Sequence, residues 1–205
     1  MLEVLQVFIQ EITVPEQLTL PSLRDLAMFL ETEERNGTEV DEILRSFVCP
    51  SLTKFSLFAH GDWTSETFQI LKRQYDMQGL RDANIDGYFT LPVSSFLNDA
   101  PMLYSLSLGR NSIMDDEAII GMSNGTLGQR LRKLDINITC DIEEILSMVE
   151  ARKKTVDELI KMGCTWDEEI TVLNNVVLHI KPGKGYKERV LALKEAGITI
   201  TFLYQ

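Results

Sequence analysis

The stretch APMLYSLSL, residues 100–108, places Leu103, Leu106 and Leu108 in the pattern apolar, two variable, apolar, one variable, apolar. The last two lie two residues apart, the alternation of a strand that buries one face. The first enters from a turn. The same triplet recurs upstream as Leu2-Leu5-Val7, Leu23-Leu26-Met28, Leu52-Phe55-Leu57 and Leu80-Ala83-Ile85. It recurs downstream as Leu131-Leu134-Ile136 and Leu173-Val176-Leu178. Triplet starts are separated by 21, 29, 28, 23, 28 and 42 residues, and the first five intervals are those of leucine-rich repeats. One such triplet is weak evidence; seven in near-register define an array.

Between triplets lie helix-patterned segments, among them 39–47, 65–75, 115–122 and 141–152, the last opened by the capping pair Asp141 and Glu144. Strand and helix in each repeat predict an α/β leucine-rich-repeat solenoid, with parallel strands on the concave face and helices on the convex face. The expected organisation is one domain over 1–205, with repeats starting near 2, 23, 52, 80, 103, 131 and 173. The 42-residue interval carries an extra short helical piece at 156–162, ending at Gly163. A helix at 186–196, stopped by Gly197, and the alternation of Ile198, Ile200 and Phe202 predict a C-terminal cap over 186–203. Leu2 is already a triplet residue, so nothing polar is expected to cover the first repeat.

Composition bounds the function. Lys and Arg number 20 against 31 Asp and Glu, a net charge of −11 that disfavours phosphate backbones and anionic lipid. A basic or neutral protein is the easier partner; nucleic acid and membrane are not expected. Cys49, Cys140 and Cys164 are odd in number, without metal-ligand spacing, and fit a reducing compartment. The start MLEVLQVFIQE lacks the features of a secretion signal, and no apolar run approaches a membrane span. These features predict an intracellular protein, cytoplasmic or nuclear. The sequons at Asn36, Asn124 and Asn137 are then chance matches.

Nothing in the chain reads as a catalytic, metal or cofactor site. Its two histidines, His60 in the turn-like AHGDW and His179 just after Leu178, lie in no hydrolase motif. Lys181-Pro-Gly-Lys-Gly185 lacks the spacing of a phosphate loop and reads as a turn into the last helix. Cys49 reads as packing.

The outward strand positions are the informative surface. The residues between the second and third apolar positions are Gln6, Ala27, Ser56, Asn84, Ser107, Asp135 and Val177. Those just after the third are Phe8, Phe29, Phe58, Asp86, Gly109, Asn137 and His179. Three phenylalanines thus align, followed by a polar half. Either the rings fold under the next turn and join the core, or they stand exposed as anchors for a partner. On the second reading the partner-binding residues are Phe8, Phe29 and Phe58, with Lys54, Asp82, Asn84 and Asp86 orienting the ligand. Arg24, Arg81 and Arg132, each following a first leucine, read as a solvated edge.

The segments LTLPSLRDL, FVCPSLTKFSL and FLNDAPMLYSLSL resemble the repeat region of fungal F-box proteins with leucine-rich repeats, as do ILSMVEARKK and VVLHIKPGKGYKERVLALKEAGITI near the end. The resemblance covers essentially the whole chain and is most specific at its C-terminal stretch. It implies the substrate-recognition region of a cullin–RING ubiquitin ligase, holding a protein substrate on the concave face. No F-box is recognised, nor is there room for one before Leu2, so a Skp-type adaptor is implied only if an F-box precedes this chain. A free-standing leucine-rich-repeat scaffold or regulator, without a ligase link, is the alternative.

Overall fold

The structure is a computed structural model that describes residues 2–9, 16–30, 37–60, 65–88, 92–109, 112–137, 141–163, 170–181 and 184–203. The strands that carry the triplets are β1 (Val4–Ile9), β3 (Asp25–Leu30), β5 (Lys54–His60), β6 (Asp82–Tyr88), β7 (Ser105–Leu108), β8 (Lys133–Ile136) and β9 (Asn175–Leu178). With β10 (Thr199–Phe202) they form one eight-stranded sheet in the order β1-β3-β5-β6-β7-β8-β9-β10. Every pairing in it is parallel. A second, two-stranded sheet pairs β2 (Leu18–Thr19) with β4 (Phe47–Val48), also in parallel. The helices are α1 (Gly37–Arg45), α2 (Ser65–Gln74), α3 (Val93–Asp99), α4 (Asp116–Asn124), α5 (Ile142–Lys161) and α6 (Lys187–Glu195). The result is a mixed α/β architecture on a parallel sheet.

Register explains the triplet. Leu26, Phe55, Ala83, Leu106, Leu134 and Val176 are consecutive cross-strand neighbours, as are Met28, Leu57, Ile85, Leu108, Ile136 and Leu178. All lie at or below 4% exposure, and the first leucines from Leu23 to Leu173 sit beneath them at 0–1%. Helix residues Ile43, Leu71, Phe96, Met122 and Leu146 join the same core cluster, so the helices cover this face and leave the other open. The first triplet differs: Leu2 is half exposed, and Leu5 and Val7 are only partly buried. Among the described residues they have a neighbouring strand on one side alone.

Successive helices are stitched by polar contacts. The Thr67 hydroxyl donates to the buried Asp41 carboxylate at 2.6 Å, joining α2 to α1. Lys72 of α2 meets Asp99 of α3 at 2.8 Å. Asp115, the N-cap of α4, accepts from Ala118 N–H within its helix and from Ser94 N–H of α3. Burial alone would raise the Asp115 carboxyl; these hydrogen bonds outweigh it and hold its pKa below the ordinary value. Arg189 of α6 grips Glu150 of α5 through Nε and Nη2, both at 2.8 Å, and also reaches Glu143 and Ser147. The hydrogen bonds that Arg189 donates to the Glu150 carboxylate raise its pKa.

Several sequence expectations need correction. The piece expected at 156–162 is no separate helix: α5 runs unbroken for 20 residues. Asp141 caps it through the N–H of Glu143 rather than in a reciprocal pair with Glu144. His60 ends β5 instead of lying in a turn. Cys140, Cys164 and Gly183 lie outside the described residues, as do Asn36 and Ile138 of two sequons.

Arg152 escaped the sequence reading altogether. It is fully buried in α5. Its Nε donates to Thr171 O at 2.7 Å, Nη1 to Met122 O and Leu127 O at 3.1 and 3.4 Å, and Nη2 to Gly128 O and Gln129 O at 2.6 and 2.9 Å. The guanidinium fork therefore gathers carbonyls from the end of α4, which stops at the left-handed Gly125 (φ +77°), and from the turn that follows, and ties in the segment that leads into β9. Burial lowers its pKa from the ordinary guanidinium range to about 10, so it is cationic at neutral pH.

Candidate functional site: the open face of the sheet

Three columns cross the open face, each built by strand alternation from positions that the buried rows leave free. The first holds Val4, Asp25, Lys54, Asp82, Ser105, Lys133, Asn175 and Thr199 in cross-strand register. Asp25, Lys54 and Asp82 are adjacent and alternate in sign, the favourable arrangement for neighbouring strands. Farther along, Tyr104 lies under two cations, with Arg132 and Lys133 at 5.6 and 5.7 Å from its ring centroid.

The second column is low. Ala27, Ser56, Asn84 and Ser107 form its middle. Ala27 is only 9% exposed although it sits on the outward face, since taller neighbours cover it.

The third column carries the phenylalanines. Phe8 and Phe29 stack with ring centroids 4.6 Å apart and planes 8° from parallel; Phe29 and Phe58 stack at 4.6 Å and 2°. Phe8 is 70% exposed, while Phe29 and Phe58 are half-buried by their neighbours in the ladder. The rings do not fold into the core, for a backbone reason. β1, β3, β5 and β6 continue past the third apolar residue by at least two positions, so the phenylalanine stays in the strand with its side chain outward. The inward position after it is filled by Leu30 and Ala59, at 2 and 3% exposure.

Beyond Phe58 the column continues as Asp86 on β6. The next position, Gly109, is a glycine by necessity: a Cβ there would lie 2.1 Å from Asp86 Oδ1 and 2.7 Å from the Asp86 Cα. Asp86 thus leans into space that only a missing side chain leaves open. Farther on, His179 Nε2 lies 2.9 Å from Asp135 Oδ1, across the C-terminal part of the face.

The residues singled out in the sequence therefore share one surface. Phe8, Phe29 and Phe58 form a continuous aromatic ladder. Asp86 extends its line, Lys54 and Asp82 run in the parallel column, and Asn84 lies between the two. The sequence alone singles out neither Asp25 nor Tyr104. The signal for both was the position just before the second apolar residue and the one before that. Arg24, Arg81 and Arg132 are exposed, as expected for an edge. Cys49 is buried, and burial lifts its thiol from 9.0 to about 11, the opposite of what a reactive cysteine needs. Among the described residues no helix is long and apolar enough to cross a membrane. Compared with protein-family models, with curated proteins and with solved structures, the chain matches none.

Proposed function

We propose that this chain is a leucine-rich-repeat solenoid that holds another protein on the open, concave face of its sheet, in the manner of the substrate-recognition region of an F-box protein. One observation carries the reading: three stacked phenylalanine rings stand on the face that none of the described helices covers, beside a low column and a row of alternating charges. Aromatic side chains bury a large apolar area at small entropy cost and dominate interface energies. The charges set orientation and association rate. The face carries Asp25, Asp82, Asp86 and Asp135 against Lys54 and Lys133, which with the net charge of −11 favours a basic segment on the partner.

A photo-crosslinking residue at Ser56 or Asn84 tests the site, with Glu158 on the exposed side of α5 as the control position. The partner is expected to crosslink from the open face and not from the helix. Phe29→Ala and Phe58→Ala should each weaken its binding by about 1–4 kcal/mol with little loss of melting temperature. Unfolding by both variants, or undiminished binding, overturns the assignment. The ligase link is a separate question, answered by whether a gene product with an F-box ahead of this chain co-purifies with a Skp-type adaptor. Its failure leaves the free-standing scaffold.

A further inference from the structure

We propose that the rim where the strands enter the sheet is a second contact surface, and that it takes an acidic, carboxylate-bearing segment of a partner protein. One rim residue follows the first leucine of each triplet, and backbone hydrogen bonds set these residues in a row. The N–H of Arg81 donates to Thr53 O, that of Tyr104 to Arg81 O, that of Arg132 to Tyr104 O and that of Asn174 to Arg132 O. Arg81 and Arg132 therefore flank Tyr104 on consecutive strands, about 10 Å apart along the backbone row for two strand spacings. Lys54 and Lys133, one position farther into their strands, are exposed beside this row.

The sign of this rim is opposite to that of the chain. Asp and Glu outnumber Lys and Arg by 31 to 20. Yet the entries of β5 to β8 carry Lys54, Arg81, Arg132 and Lys133 against a single acid, Asp82, which faces Lys54 across the strands. On the helical side cations find carboxylates: Arg45, Lys72, Lys153 and Arg189 each hold one at 3.1 Å or less. Among the described residues, Arg81, Arg132 and Lys133 hold none within ion-pair distance. Like charges gathered in this way repel one another and contribute nothing to folding. An anionic partner is what would offset that repulsion.

The cations are also held in place. Arg132 and Lys133 both lie against the Tyr104 ring, at 5.6 and 5.7 Å from its centroid, within cation–π range. Tyr104 is itself 37% exposed, so the ring orders the two cations at the surface without burying them. Side chains ordered in advance lose less entropy on binding. The planar fork of arginine takes a carboxylate through two parallel hydrogen bonds. A protein segment suits the rim better than nucleic acid does. The cations occupy one short row, and the net charge of −11 around it repels a continuous phosphate backbone. The phenylalanine ladder lies toward the other end of the strands, so the two surfaces act separately.

The probe is a fluorescein-labelled peptide of alternating glutamate and alanine, read by anisotropy against the full chain. At about 0.1 M salt the Debye length is about 10 Å, so a bound carboxylate responds to the rim more than to distant acids. Saturable binding is expected, weakening as salt rises. Arg81→Gln combined with Arg132→Gln should raise Kd about fivefold or more, with melting unchanged because both side chains are exposed. Tyr104→Leu keeps every charge and loses the stack, and should raise Kd about two- to fivefold. Lys154→Gln combined with Lys194→Gln removes the same charge from exposed positions of α5 and α6 and should leave Kd as it was. Phe29→Ala should also leave it unchanged, which separates the rim from the ladder. Absence of saturable binding, undiminished binding by the rim variant, or an equal loss in the helix or ladder variants would each overturn the proposal. A single-stranded oligonucleotide that binds more tightly than the peptide would overturn the choice of partner.

Discussion

The two halves of the sheet solve the same packing problem with different parts. From β1 to β6 the strands are six or seven residues long; from β7 to β10 they are four. The longer strands carry one more outward position, which phenylalanine occupies three times, and one more inward position, closed by Leu30 and Ala59. In the C-terminal half the chain leaves the strand at that point, and Gly109, Asn137 and His179 continue the ladder through single hydrogen bonds to Ile85, Leu108 and Ile136. What that half lacks in strand length it makes up on the helical side, with the 20-residue α5, Arg152 and the clamp of Arg189. The N-terminal half is specialised on its open face and the C-terminal half on its packing. Binding and stability should therefore separate along the sheet.

The largest expected effect is at Arg152. Arg152→Met keeps most of the volume but takes its donor from the Met122, Leu127 and Thr171 carbonyls, while those of Gly128 and Gln129 keep the N–H groups of Leu131 and Thr171; at the cost of one unsatisfied group each, the loss is about 3 kcal/mol or more. Arg152→Lys should rescue only part, because a single ammonium cannot reproduce the fork. Urea melts decide this, and a shift below about 1 kcal/mol would remove Arg152 as the anchor of the C-terminal half.

Truncations in equivalent core positions sharpen the contrast. Leu134→Ala, at 1% exposure in the interior of the sheet, should cost about 2–5 kcal/mol. Val7→Ala, partly buried on the edge strand, should cost about 1 kcal/mol in dilute solution. Equal costs would mean that the sheet has no weak end.

At neutral pH a last effect is silent and emerges only in alkali. Cys49 has a folded pKa of about 11 against 9.0 for a free thiol, and burial also raises Tyr75, whose hydroxyl donates to Leu44 O. Both groups ionise more readily when unfolded. The thiol's contribution is fully present below pH 9 and is lost as pH rises toward 11, about 2–3 kcal/mol; that of Tyr75 starts to be lost only above pH 10. Cys49→Ala should flatten stability over that range, whatever it costs at neutral pH. An unchanged slope would show that the thiol does not control alkaline unfolding.

Much of the fold was legible because the triplet encodes its own register. Leu57, Leu108 and Ile136 had to lie on one buried face if the strands were parallel, and they do. The fate of the phenylalanines was not legible. It turned on whether the strand ended after Met28 and Leu57 or ran on, and local sequence carries no sharp stop signal there. Arg152 was hidden for another reason. Within VEARKKTV it resembles its solvated neighbours Lys153 and Lys154, and only the carbonyls gathered from a distant turn distinguish it. Gly109 was visible as a gap in the third column, but its reason, the close approach of Asp86, needed three dimensions.

The spacing of the aromatic ladder makes it something simpler than three separate anchors. Rings 4.6 Å apart and nearly parallel leave no gap for a side chain to enter. A partner on the proposed site would meet one continuous rail rather than three pegs. A rail guides without indexing, since an apolar groove could slide along it with little change in energy. The marks that would arrest such sliding are the unequal features beside it: the sign changes from Asp25 to Lys54 to Asp82, and the abrupt end where Phe58 gives way to Asp86.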